Sequence, residues 1–507
     1  MSAPDAGPSP LARAAAPPAL VERTLEILRR VRPDAGGAAL VTERSDAVLR
    51  WANSTMTTNG VGVGRTITVV ALVPVPGARP GRTGDDGGTG AGVVGAPAPI
   101  PEGPEGDAAL TALVRAAVDA ARRGGPARDA AALPAPEGPP PPGSFTDPAA
   151  ETSIAVFGPF AADLAGSFAT GPTAGPSAPE RSFGFAEHTV TTSWLGTTTG
   201  VRRRWETPVG SVELNLKDPS TGASVWGGRG TRDWTDLADG ALASLVDELR
   251  GRLAWGRRRI DLPAGRYETI LPPSAVSDLL IYLAWSMGGR PAQEGRSALS
   301  RAGGTRGGER LTDLPLTLAG DPAAPGFPQL AHEAVLATTS SGDEVSVFDN
   351  GATTRRVEWI RGGRIGELAY PRAAAAEFAD AGARFAPPAD NLLLTGGSQA
   401  STADLVASTT RGLLLTCLWY IREVDPTTLL LTGLTRDGVY LVEDGEVVGE
   451  VNNFRWNESP LDVLRRTTEA GATDVTLPRE WKDWFTRVAM SPLRVEGFNM
   501  SSVSRAS

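Results

Sequence analysis

The sequence predicts an α+β fold, with an N-terminal mixed α/β domain followed by a β-rich C-terminal domain that carries a large, mostly antiparallel sheet. Three observations predict it. Helical-period apolar residues alternate with strand-like runs in the first half. The last clear helical pattern ends at Met287. Beyond it, short runs rich in Val, Leu and Ile are separated by Asn-Gly and Asp-Gly turns. A chain of 507 residues is long for one hydrophobic core. The expected division is a disordered N-terminus over 1–19, an α/β domain over 20–259 and a β-rich domain over 260–507.

In chain order, Leu20, Val21, Leu25, Leu28 and Val31 fall on one face of a helix that stops before Pro33, whose ring cannot continue it. Strands are expected at Ala38–Glu43, Ala47–Ala52 and Thr66–Val73, with Asn59-Gly60 as the turn between the last two. Gly77 to Gly106 lacks apolar periodicity and reads as a mobile loop, ending where Asp107 caps a helix that runs to Arg123. Pro126 to Pro148 and Gly171 to Arg181 read as a linker and a polar insert. A meander follows from His188 to Lys217, then a helix from Asp236 to Leu253. After the strand Tyr267–Leu271, Pro272-Pro273-Ser274 opens a helix bearing Val276, Leu279, Leu280, Leu283 and Met287. The remaining strands are expected at Val345–Phe348, Arg355–Ile360, Leu413–Tyr420, Leu429–Leu434, Val439–Val442 and Val447–Val451.

Composition narrows the function. A net charge of −9 gives no basic field with which to neutralise phosphates, so nucleic acid is not the expected partner. The N-terminus lacks the apolar segment of a secretory signal, and no apolar run has the length to span a bilayer. Cys417 is the only cysteine, which excludes an intrachain disulfide and fits a reducing compartment; a cytoplasmic location is expected.

Four constellations could carry chemistry. Zinc ligands would have to come from His188, His332 and Cys417, which sit on separate elements. His332-Glu333 begins like a metallopeptidase helix, but Leu336 and Ala337 stand where the second histidine should return, so His332 reads as a polar residue near a helix or loop end and no metal site is expected. Gly90 to Gly95 has the spacing of a dinucleotide fingerprint, yet Pro97 and Pro99 block the helix that motif needs, leaving a flexible loop. Gly396-Gly397-Ser398-Gln399-Ala400 resembles a nucleophile elbow around Ser398, with Ser401 to Asp404 reading as a helix-capping turn instead of the required helix. Trp419, Tyr420, Arg422 and Glu423 gather aromatics and charges at a strand end. They line a groove that binds substrate or form an internal ionic network, with Tyr420, Arg422 and Val424 on one face.

Several blocks, in this order, resemble the TldD/PmbA family of peptidases and its TldE/PmbA-type subunit. They are Arg50 to Ser54, the Ala-rich helix Asp107 to Arg123, the turn Ser193 to Arg203, Gly265-Arg266-Tyr267 through Val276, Gly320-Asp321-Pro322, Phe348 to Gly351 with Ile360 to Arg364, and Gly412 through Glu446. The similarity runs from Leu20 to Asn499. In the TldD-type subunit an HExxxH helix and a late cysteine hold the metal. The helix at the matching place here, Ala275 to Met287, carries Leu279-Leu280-Ile281-Tyr282-Leu283-Ala284-Trp285-Ser286, and Gly471 to Ser491 contains no cysteine. The resemblance therefore implies no catalytic residue in this chain. It implies instead a TldD-type partner bearing zinc, and a heterodimer in which this chain completes a channel for small or unfolded peptides, held by strand addition. A stand-alone peptide-binding scaffold and a serine hydrolase using Ser398 are the alternatives.

Overall fold

A computed structural model of the chain describes residues 10–76, 88–137, 144–169, 179–237, 240–327, 330–336, 343–436 and 438–504. The first half is built on a six-stranded antiparallel sheet. Its strands are β1 (Gly36–Ala52), β2 (Thr55–Val75), β3 (Gly88–Pro97), β4 (Arg181–Thr197), β5 (Arg202–Lys217) and β6 (Ser224–Thr231), in the order β3-β2-β1-β4-β5-β6. Alternation along the strands sends Val41 and Trp194 to one face and Leu40 and Leu195 to the other. The first face is covered at one end by α1 (Pro17–Val31) and α2 (Pro104–Gly124), which bury Leu25, Leu28, Val114 and Val118 against it. At the other end α3 (Gly158–Ala169) and α4 (Ala241–Trp255) enclose Trp51, Phe157, Leu214 and Leu249. The opposite face packs on the second half of the chain through Val335, Val347 and Phe348.

The second half holds a ten-stranded and a six-stranded sheet, both mostly antiparallel. β7 (Arg259–Ile260) closes one edge of the larger sheet, β8 (Gly265–Leu271) lies inside it, and Trp419–Asp425 forms the other edge. α5 (Pro273–Trp285) starts at two prolines, where the missing N–H groups cost nothing. Its Val276, Leu279, Leu280, Ile281 and Leu283 are buried in the same core as Trp359, Met490 and Leu493. This is the α+β architecture expected, with the large antiparallel sheet in the second half. Among the described residues no helix is long and apolar enough to cross a membrane.

Local expectations fail where a turn or an edge lies hidden in the pattern. The first hairpin turns at Asn53-Ser54, both with positive φ (50° and 55°), so β1 and β2 run unbroken and Asn59-Gly60 lies within β2. The stretch read as a loop contains β3 from residue 88 on; Gly90 and Gly92 leave room for the Ala117 and Ala121 carbonyls of α2, where a Cβ would clash at 2.4 Å or less. The fingerprint-like glycines are thus strand residues under a helix. Residues 77–87 lie outside the described residues, as do 138–143 and 170–178 of the expected linker and insert. α2 begins at Pro104, and Asp107 sits in its first turn paired with Arg23 instead of capping it. Residues 10–19, expected to be disordered, form a 3-10 turn, a bridge from Ala14 to Pro101 and the start of α1. The strand expected at Val345–Phe348 is instead a 3-10 turn, Val347–Asp349, and Leu413–Tyr420 divides into Arg411–Leu415 and Trp419–Asp425.

Candidate functional site

A cavity of about 1240 Å³ opens between the free face of β5 and the second half of the chain. β5 supplies Arg204, Trp205, Glu206, Thr207 and Val209; α5 supplies Trp285 from its last turn; the segment 483–487 supplies Asp483, Trp484 and Phe485; and Leu330 to His332 with Asp390 close the wall. Period-two alternation is what aims Trp205, Thr207 and Val209 to one side.

The wall around His332 is fastened by backbone. His332 bridges Thr353, Glu333 N–H donates to the Ala352 carbonyl (2.8 Å), and Gly351 N–H returns to the Glu333 carbonyl (2.8 Å). Gly351 has φ +88°, and a Cβ there would meet Val201 at 2.9 Å, so the turn requires glycine. Buried Asn350 holds the strap from inside: its Oδ1 accepts from Val335 N–H (2.6 Å), and its Nδ2 donates to the carbonyls of Val335 (3.1 Å) and Val347 (3.0 Å).

His332 is 6% exposed and packs edge-on against Trp205, with ring centroids 4.7 Å apart. Its Nε2 is buried without a hydrogen-bond partner among the described residues. Burial, helped by nearby Arg203, pushes its pKa down to about 4, so the ring is neutral at physiological pH. Beside it, burial pushes Glu333 up to about 8, reinforced by the charges of Asp390 and Asp349. Asp390 is itself pushed up by the protein around it, although it stays accessible from the cavity.

α5 reaches this cavity through an aromatic cluster. Trp285 lies 4.9 Å from Trp481 and 5.9 Å from Trp484, and Tyr282 lies 5.8 Å from Trp481. Below them Asp278 is fully buried and accepts backbone N–H bonds from Arg479 (3.3 Å), Glu480 (2.9 Å) and Trp481 (3.4 Å). Burial drives its pKa well up, and those three N–H bonds pull against that shift. Trp481 Nε1 closes the clamp on the Asp278 carbonyl (3.0 Å).

The same segment organises the strand-end residues singled out in the sequence. The Arg479 guanidinium lies between Trp226 (4.1 Å) and Trp419 (4.8 Å). The Glu480 carboxylate accepts from the N–H groups of Tyr420 (3.2 Å) and Ile421 (3.1 Å) and faces Arg422 at 3.5 Å. Tyr420, Arg422 and Val424 are exposed along the edge strand, as alternation implies, and Glu423 is exposed with them. None of Trp419, Tyr420, Arg422 and Glu423 lines the cavity.

The remaining candidates stand apart from one another. The two ring nitrogens of His188 meet Thr152 Oγ1 (2.6 Å) and the Arg232 carbonyl (3.2 Å). Ser398 Oγ accepts from Ala400 N–H (3.2 Å), and the helix that follows is capped by Ser401 with Asp404. No histidine reaches Ser398 among the described contacts, so the elbow has no base. Cys417 is buried. Among the described residues no group of three or more His, Cys, Asp or Glu side chains is placed to hold a metal.

The cavity was not legible as such, because Trp205, Trp285, Asp390 and Trp484 are far apart in sequence. One signal was present: Trp481, Trp484 and Phe485 put three aromatics within five residues of the C-terminal region.

Residues 264–502 match the PmbA/TldA metallopeptidase C-terminal domain. Comparison with curated protein sequences gives no match. Among solved structures, TldE from Thermococcus kodakarensis superposes with a TM-score of 0.66 at 14% identity, covering 94% of this chain and 99% of that one. A protein from Thermotoga maritima described as a candidate modulator of DNA gyrase gives 0.67 at 14% identity over 94% and 99%. One from Bacteroides thetaiotaomicron with the same description gives 0.67 at 14% identity over 96% and 98%. The likeness to that metallopeptidase C-terminal domain is therefore carried by residues 264–502, and the fold along nearly the full length of the chain is shared with these solved structures.

Proposed function

We propose that this chain is the metal-free subunit of a TldD/TldE-type heterodimeric metallopeptidase, and that its cavity forms part of the channel for small or unfolded peptides. The observation that carries the reading is the face of α5. Where the resemblance puts the metal-bearing helix, Leu279, Leu280, Ile281 and Leu283 are core residues, and Trp285 is an aromatic wall of the cavity. The only two histidines, His188 and His332, are too far apart to form HExxxH. The side chains present on this helix do not fit a metal, so no catalytic step is assigned to the chain. Zinc belongs in this reading to the partner.

The chain's own contribution is shape. A cavity lined by aromatic faces and main-chain groups holds an extended peptide with little demand on its sequence, and excludes bulk water from the bond to be cut. A single cysteine supports cytoplasmic action. The test is reconstitution with a TldD-type chain. Co-expression should give a stable complex that hydrolyses an unfolded peptide, with activity lost when this chain is left out. A partner that neither binds this chain nor needs it would remove the proposal. Stable homodimers that bind peptide without any partner would favour the scaffold reading.

A further inference from the structure

The cavity has a charge as well as a shape, and the two together select a ligand class. Six ionisable side chains other than His332 line it: Asp147, Arg204, Glu206, Asp390, Asp483 and Arg487. Both arginines are already engaged. Arg204 donates to the Pro148 carbonyl and to Glu206, and Arg487 pairs with Asp236 behind the wall. His332 adds no charge, since burial holds it neutral. The carboxylates of Asp147, Asp390 and Asp483 then face the space without a cationic side-chain partner among the described contacts. The Asp147 carboxylate accepts only the Ser144 N–H (2.8 Å), while the Asp147 backbone carbonyl takes Arg204 Nε (3.2 Å), and the Asp390 carboxylate accepts only the backbone N–H of Leu330. Carboxylates gathered on a concave wall create a negative field that a bound cation neutralises.

The aromatic surfaces fit the same ligand. Trp484 is 66% exposed, and it stands 5.9 Å from Trp285 at the mouth. Large apolar surface left open beside carboxylates is the composition that holds ammonium and guanidinium groups, through the negative faces of the rings and the charges next to them.

We propose that this cavity selects positively charged segments of unfolded peptides, seating lysine, arginine or N-terminal amino groups between the faces of Trp285 and Trp484 and the carboxylates of Asp390 and Asp483. The inference rests on the peptide-channel reading above and deepens it by naming the substrate class.

The experiment measures binding of three unstructured peptides of equal length to the full chain, alone and with its TldD-type partner. One peptide is lysine- and arginine-rich, one serine- and glycine-rich, and one glutamate-rich. The basic peptide should bind at least tenfold more tightly than the acidic one, and the gap should narrow as salt rises from about 0.05 to 0.5 M. Asp390→Asn should weaken the basic peptide several-fold more than the neutral one; Trp484→Ala, at an exposed position, should weaken the basic peptide without unfolding the chain. Equal binding of all three peptides, unaffected by Asp390→Asn, overturns the charge selection and leaves the channel standing. Failure of every peptide to bind, with and without the partner, overturns both.

Discussion

Asp278 and Glu333 are both acids taken out of water, and they differ in what surrounds the carboxylate. Asp278 is enclosed by three backbone N–H donors from 479–481, has no solvent contact and fastens α5 to the aromatic segment. Glu333 follows the cavity-lining His332 in the strap, with no side-chain hydrogen bond among the described residues, close to the charges of Asp390 and Asp349. A satisfied buried acid holds structure, whereas an unsatisfied one keeps the full cost of its burial. The difference separates the clamp under α5 from the strap beside the cavity.

The largest way to break that comparison is Asp278→Ala. It leaves three buried N–H groups without an acceptor and should cost about 4 kcal/mol in urea denaturation, while Asp278→Asn, which keeps an acceptor oxygen, loses much less. Equal losses for the two would mean that the clamp is not what holds α5. Trp285→Ala comes next. It removes a large ring from the aromatic cluster and should cost about 3 kcal/mol, together with peptide affinity. Retained peptide binding in that variant would move the binding surface elsewhere.

The pH dependence sharpens the other half. Glu333 is raised from an ordinary 4.5 to about 8, so the folded chain binds its proton more tightly than the unfolded chain does. Its contribution is fully present below 4.5 and is lost as pH rises through 8. His332 is depressed from 6.5 to about 4, so its contribution is present above 6.5 and is lost as pH falls toward 4. Denaturation midpoints of the parent, Glu333→Gln and His332→Gln should therefore diverge on opposite sides of neutrality. Glu333→Gln should flatten the alkaline limb and His332→Gln the acid limb. A parent whose stability does not change between pH 4 and 8 would contradict both assignments. The smallest effect expected is at Arg479, where alanine loses two ring contacts worth about 1–2 kcal/mol together, read as a modest fall in Tm.

What the sequence revealed follows from range. Periodicity found α1, α5 and the strands with alternating burial, because each signal lies within one element. The type I′ turn at Asn53-Ser54 was missed because Asn59-Gly60 carries the stronger turn signature, and long-range pairing with β4 decided where the strand should turn. β3 was hidden because its glycines serve helix packing by α2, a tertiary need that local composition reports as a loop. The strand-end cluster of Trp419, Tyr420, Arg422 and Glu423 was visible as unusual chemistry. Its contacts with Arg479 and Glu480, about 60 residues away, were not. The absent ligand set on α5 needed only the residues themselves.

The proposed division of labour sets a chain that holds peptide beside a chain that holds metal. It is tested most directly by counting zinc by elemental analysis in this chain alone and in its complex with a TldD-type partner, alongside peptide hydrolysis. No stoichiometric zinc is expected in this chain alone, and the zinc of the complex should disappear, with the activity, when the partner's HExxxH histidines are replaced. Stoichiometric zinc on this chain alone, or hydrolysis that survives loss of the partner's motif, would contradict it.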